Sequence, residues 1–251
     1  MARQKGILPI EGTIGNITFF KSQDGYMARE KGGVSAEKIA SDPAFERTRE
    51  NNAEFGRAGK ASKLLRSSVR ALIQKAADPR MIGRMLQSMM FVIHEDMVNP
   101  RGQRNVIDGE ATLLKGFEFN SQAKLGTTLY APYSVGFTRT SGVLAAAFDA
   151  FVPASMVSAP AGSTHFKLSL AGSAVDFEGD SYEVQIAESN YYPWDNSLLA
   201  AFNLTVNLSP VSTHPVFCLL LIEFVQEVNG VKYSLKNGAF NAASIVDVDA
   251  V

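Results

Sequence analysis

The residues best suited to metal or nucleophile chemistry are three histidines, His94, His165 and His214, and one cysteine, Cys218. Their spacing supports neither use. A zinc site draws its ligands from short fixed intervals such as HExxH or CxxC, and these histidines lie far apart. His94-Glu95-Asp96 reads as the polar end of a helix, and Ser163-Thr164-His165 lacks both a nucleophile elbow and an orienting acid. In VDFEGDSY, Asp176, Glu178 and Asp180 alternate, which sets three carboxylates on one side of an extended segment. Calcium prefers such oxygen sets, but no EF-hand loop surrounds them, so a solvated strand end is the simpler reading. The glycine-rich pieces EGTIGN and EKGG lack the lysine and hydroxyl of a phosphate loop. Cys218 sits inside VFCLLLIEF and reads as a small buried hydrophobe. No catalytic residue, metal site or cofactor is therefore expected, and the chain is expected not to be an enzyme.

Binding chemistry is better represented. Arg57, Lys60, Lys63, Arg66 and Arg70 fall on one arc of a helix and form a basic stripe that would suit a protein interface or a polyanion such as nucleic acid. Tyr191, Tyr192 and Trp194 cluster between Asn190 and Asp195, a loop that would suit a planar or sugar ligand. Ile17, Phe19, Phe20 and Tyr26 give an N-terminal arm apolar side chains to dock elsewhere.

The elements that must position these groups are legible from periodicity. Asp42 is placed as N-cap and Pro43 at the first helical position of one long helix ending at Asp78-Pro79. Along it Phe55, Ala58, Ser62, Leu65, Val69, Leu72 and Ala76 define an apolar face opposite the basic stripe. Met81 to Glu95 is expected as a second helix, folded against the first as a helical hairpin. Upstream, Ile17 to Phe20 and Tyr26 to Arg29 read as a β-hairpin turning at Asp24-Gly25, followed by a flexible or extended connecting arm, GGVSAEKIAS. Downstream, short apolar runs separated by Gly, Pro, Ser and Asn (TTLYAPYSVGFT, VLAAAFDAF, THFKLSLAG, DSYEVQIAES, LAAFNLTVNL, PVFCLLLIEFVQEV, VKYSL and SIVDV) suggest an antiparallel sandwich. Val216 to Val228 should pair with Val231 to Leu235 across Asn229-Gly230, and Phe217 to Val225, apolar except at Glu223, should be a central strand.

The expected fold is α+β: an N-terminal β-hairpin arm and linker (1–41), a basic amphipathic helical hairpin (42–98), a linker (99–116) and an immunoglobulin-like or jelly-roll β-sandwich (117–251). The net charge of −1 hides an uneven split, because residues 1–104 carry 18 Lys/Arg against 11 Asp/Glu and residues 105–251 carry 6 against 14. Opposite charges on the two halves favour head-to-tail contact between copies. The N-terminus has no apolar stretch of signal-peptide length and no run long enough to span a membrane, so a cytoplasmic protein or a component of an assembled particle is expected.

The stretches ARQKGILPIEGTIGNITFFKSQDGYMAREKGG, DPAFERTRENNAEFGRAGKASKLLR and VNGVKYSLKNGAFNAASIV resemble uncharacterised proteins of Bacteroidota. That resemblance implies a bacterial or bacteriophage source and brings no assigned activity. The function expected is a structural subunit that assembles with itself through the arm and the oppositely charged halves. The alternatives are a nucleic-acid-binding protein that uses the basic stripe, and a carbohydrate- or ligand-binding sandwich that uses the aromatic loop.

Overall fold

Asp42 accepts the Ala44 N–H at 2.9 Å and Pro43 opens a 3-10 turn, Pro43–Phe45, as their types predict. The computed structural model describes residues 1–6, 9–30, 32–76 and 78–250, without the side chains of Lys236 and Asn237. It is an α+β protein that combines helices with antiparallel sheets. Two compact units are present, Met1–Glu50 and Asn51–Val251.

In the first unit, β1 (Ala2–Arg3), β2 (Gly12–Ile14), β3 (Ile17–Ser22) and β4 (Gly25–Glu30) form a sheet of order β1-β4-β3-β2. The β3–β4 turn lies one residue earlier than expected, with Gln23 and Asp24 between the paired Ser22 and Gly25. Gly25 has φ +107°, so its freedom serves the first residue after the turn rather than the turn itself. The second half of the connector is helical where a flexible or extended arm was expected. Ser35 caps α1 (Ala36–Ser41) by accepting the Lys38 N–H, which makes a helix start of what composition alone reads as a loop.

The single long helix is divided into α2 (Glu46–Ser68) and α3 (Arg70–Ala76); Ala77 in the expected span lies outside the described residues. The cause of the interruption is local. Ser68 Oγ donates to the Leu65 carbonyl at 2.8 Å, while the Val69 N–H reaches that carbonyl at only 3.4 Å. A hydroxyl competing for a ladder carbonyl loosens the helix there. The apolar arc is otherwise as its spacing predicts, with Ala58, Ser62, Leu65, Val69, Leu72 and Ala76 all buried. Phe55 is the exception at 52% exposure; at this turn its neighbour Glu54 takes the buried position and accepts the Gly102 N–H at 2.8 Å. Helix α4 (Met81–His94) follows.

Each of the eight expected strand runs contains a strand: β5 (Tyr133–Thr138), β6 (Val143–Phe148), β7 (His165–Asp176), β8 (Ser181–Glu188), β10 (Phe202–Asn207), β11 (Val216–Val228), β12 (Val231–Ser234) and β13 (Ala242–Asp249). A two-residue strand, β9 (Tyr192–Pro193), and a short helix, α5 (Pro153–Met156), also belong to the second unit. One sheet has the order β10-β6-β5, and the other has β12-β11-β7-β8, with β13 also on β11 and β9 on β7. Asn229 and Gly230, at φ +51° and +78°, close the β11–β12 hairpin as a type I′ turn requires.

Strand β11 is central because alternate side chains meet two different cores. Phe217, Leu219 and Leu221 join α2, α3 and α4 through Leu65, Val69, Leu72, Met85 and Met89. Cys218, Leu220, Ile222 and Phe224 face the smaller sheet through Leu144, Phe148, Leu204 and Val206. The second unit is thus layered as helices, large sheet and small sheet, and its helices share a core with its strands. The boundary between the two units falls after Glu50. The segment expected as a linker is ordered by Asp96, a carboxylate 1% exposed that accepts the Val98, Asn99 and Asn105 N–H groups and the Asn99 side-chain amide.

Candidate functional site

The first unit carries the arm residues. Of its described residues, none is buried. Register places Ile17, Phe19 and Tyr26 on one face of the sheet with Ala2, Ile14 and Ala28, while Phe20 lies on the other with Met27 and Arg29. Ile14 is 64% and Ile17 is 45% exposed, and an open hollow of about 920 Å³ lies beside them, lined also by Met1, Ala2 and Ala28. Lys21 lies 5.5 Å from the Tyr26 ring centre and Arg29 the same distance from that of Phe20, so a cation borders each aromatic face.

The basic stripe is smaller than its sequence implies. Arg57 donates to the Gly102 and Arg104 carbonyls at 2.7 and 3.0 Å and so clamps the loop after α4. Lys60 pairs with Asp180 at 2.5 Å. That leaves Lys63, Arg66 and Arg70 without a partner among the described residues; Lys63 and Arg70 are exposed, and burial lowers the pKa of half-buried Arg66. Arg84, in the same basic stretch, is committed to the Asp78 carboxylate and the Glu118 carbonyl, both at 2.6 Å.

The three aromatic residues of the expected ligand loop do not share a surface. Tyr192 packs against Phe166 and Phe202, and the Trp194 indole N–H donates to the Val157 carbonyl at 3.0 Å, so both belong to the core between the sheets. Tyr191 points the opposite way, as alternation along a strand requires, and its hydroxyl donates to Glu223 at 3.2 Å. The three rings therefore make no common platform.

Tyr191 caps a charged cluster that spacing did not announce. Lys167 Nζ lies 2.8 Å from Glu188 and 3.0 Å from Glu223, and Lys75 Nζ lies 3.1 and 3.3 Å from the same two carboxylates. Lys167 and Glu223 are direct cross-strand neighbours on β7 and β11, and their side chains are 9% and 10% exposed. Burial pulls the Lys167 pKa down, but its bonds to Glu188 and Glu223 outweigh that and hold it above the ordinary lysine value. The signal was present in the sequence: THFKLSLAG and FCLLLIEF each set one charge inside an apolar run, and two such charges in a core must find each other. With two cations and two carboxylates mutually paired, the cluster is a structural lock.

The remaining acid–base candidates are dispersed. His94 lies 3.8 Å from Glu54, His165 lies 3.7 Å from Glu227, and His214 lies 3.9 Å from Asp176. Asp176 accepts the Glu178 and Gly179 N–H groups within the turn and Asp180 pairs with Lys60, so two of the three alternating carboxylates are already engaged. Among the described residues no group of three or more His, Cys, Asp or Glu is arranged to hold a metal. Cys218 is fully buried, and burial pushes its thiol up to about 12. No described helix is long and apolar enough to cross a membrane. Compared with known proteins, the chain matches no family model, no curated protein and no solved structure.

Proposed function

We propose that this chain is a non-enzymatic structural protein that assembles with further copies of itself through its N-terminal sheet. One observation carries the reading. A four-stranded sheet that collects Ile14, Ile17, Phe19 and Tyr26 on one face leaves none of its described residues buried. A sheet with an apolar face is stabilised by packing that face on another layer. A second copy is the favoured layer, because the two halves of the chain differ in charge by +7 against −8. Complementary patches on different faces of one subunit generate rings or open filaments. The two antiparallel sheets facing across the Phe148, Phe166 and Leu220 core support reading the body of the subunit as a sandwich of the immunoglobulin-like or jelly-roll kind.

Light scattering and negative-stain microscopy on the full chain test the reading. The unaltered chain is expected to form ordered particles or polymers. Ile17→Glu and Phe19→Glu, substitutions at unburied positions, are expected to weaken association at least tenfold, about 1.4 kcal/mol. A chain that stays monomeric with or without these changes overturns the assembly reading.

A second reading, nucleic-acid binding, is favoured by one feature: Lys63, Arg66 and Arg70 lie on one side of α2 and α3 with no partner among the described residues. Three phosphate contacts would give a log–log salt slope of about −3 in a duplex titration. The triple glutamine variant should remove the binding, and no binding by the unaltered chain at low salt would dispose of this reading.

A further inference from the structure

Strand β8 ends the larger sheet: it pairs with β7, and no other described strand pairs with it. Sheet edges are normally protected by lysine, proline, a bulge or shortness. β8 has no lysine, proline, bulge or shortness, and its one inward-facing charge, Glu183, is taken up by the Ser209 N–H at 3.0 Å. Its eight residues, SYEVQIAE, contain no lysine, arginine or proline, and its register with β7 runs unbroken from Ser169↔Glu188 to Asp176↔Ser181. The opposite side of the sheet is guarded. β12 has four residues including Lys232, and β13 is bonded along its outer side by Gly116 N–H to Ile245 O at 2.7 Å and Phe119 N–H to Ala243 O at 2.8 Å.

Tyr182, Val184 and Ile186 pair with Val175, Ser173 and Ala171, which places them on the helix side of the sheet. Tyr182 is 46% and Ile186 is 38% exposed, so the row continues the core beneath α2 and α3 out to solvent. An ion pair closes each end of the row, Lys60 with Asp180 and Lys75 with Glu188. The sequence about Val184 is self-complementary. In an antiparallel pairing with β8 of a second copy centred on Val184, Tyr182 meets Ile186 of the other copy, Val184 meets its equivalent and Glu183 meets Gln185. At each end Asp180 meets Glu188, each with its own lysine, so the four charges balance. Sliding one strand two residues either way sets Val184 against Tyr182 or Ile186 but then puts Ile186 against Asp180 or Tyr182 against Glu188, so only the centred alignment pairs every apolar residue of the row with another.

We infer that β8 is the contact of a symmetric dimer, in which the larger sheets of two copies join edge to edge. The contact is independent of the N-terminal sheet, and the two together would extend an assembly beyond a closed pair. A two-strand contact of this length lies at the small end of stable interfaces, about 1,000 Å² in total.

Cysteine cross-linking tests both the contact and its register, because Cys218 is fully buried and silent. Oxidised Val184→Cys is expected to yield a covalent dimer, whereas Ser181→Cys, opposite Ala187 of the other copy, is not. Tyr182→Lys and Ile186→Lys, at half-exposed positions, should each weaken the dimer at least tenfold by analytical ultracentrifugation. In the unaltered chain, amide exchange across β8 should slow as concentration rises. Phe19→Glu should leave the Val184→Cys cross-link intact, which separates this contact from the N-terminal one. Equal cross-linking at Ser181→Cys, loss of the Val184→Cys cross-link in the Phe19→Glu background, or β8 exchange that ignores concentration would each overturn the inference.

Discussion

Lys167→Met is expected to lower stability by about 3 kcal/mol in urea unfolding at neutral pH, because it removes one cation from a buried ionic lock and leaves Glu223 inside the protein. Glu223 keeps the Tyr191 hydroxyl at 3.2 Å and Lys75 at 3.3 Å, but loses its shortest ionic partner at 3.0 Å. The double variant Lys167→Met/Glu223→Leu should recover most of the loss, since an apolar pair removes both desolvation costs together. A double variant less stable than the single would show that the lock contributes net stability. The pH dependence is separate. Lys167 is held above its ordinary value, so its contribution is complete below the unfolded lysine pKa and is lost only as pH rises through the folded one. Glu188 is held below the ordinary glutamate value, first by its bond to Lys167, so its contribution is complete above the unfolded pKa and fades in acid. Neutral pH lies between the two limits.

Asp96→Ala should cost about 3 kcal/mol, because it orphans the donors that order the loop from Asp96 to Asp108. Burial pushes the Asp96 carboxyl up, yet the bonds from Asn99, Asn105 and Val98 outweigh burial and hold it at about 2. A depressed carboxylate stabilises fully above its unfolded value of 3.8, and the contribution is lost as pH falls towards about 2. In an unfolding series from neutral pH down to about pH 2, the difference between Asp96→Ala and the unaltered chain should therefore shrink. A difference constant across that series would show that Asp96 acts through packing rather than charge.

Local chemistry made much of the fold legible. Asp42-Pro43 marks a helix start, Asn229-Gly230 marks a hairpin, and the uninterrupted Phe217 to Ile222 run marks a strand flanked on both sides. Non-local packing was not legible. Periodicity shows that α2 has an apolar face, but it cannot say whether that face meets α4 alone or also Phe217 and Leu219 of a strand far along the chain. The candidate sites differ for a similar reason. Lys60 and Arg57 look like free cations until the turn at Asp180 and the loop at Gly102 arrive from distant sequence. Tyr191 and Tyr192 look like one cluster until strand alternation sends them to opposite faces.

The placement of β13 bears on how the chain is synthesised. Ala243 and Ile245 belong to the same core as Leu65 and Met89, and the outer edge of β13 holds the Gly116 to Phe119 segment in place. Helices α2 and α4 emerge from the ribosome first, but they cannot complete that core until Ala242–Asp249 has followed them out. Until then β7 and β11 can cover only part of that core and the rest of its apolar surface stays open, a state that attracts chaperones and favours aggregation. Slowing translation upstream of β13 would lengthen that interval.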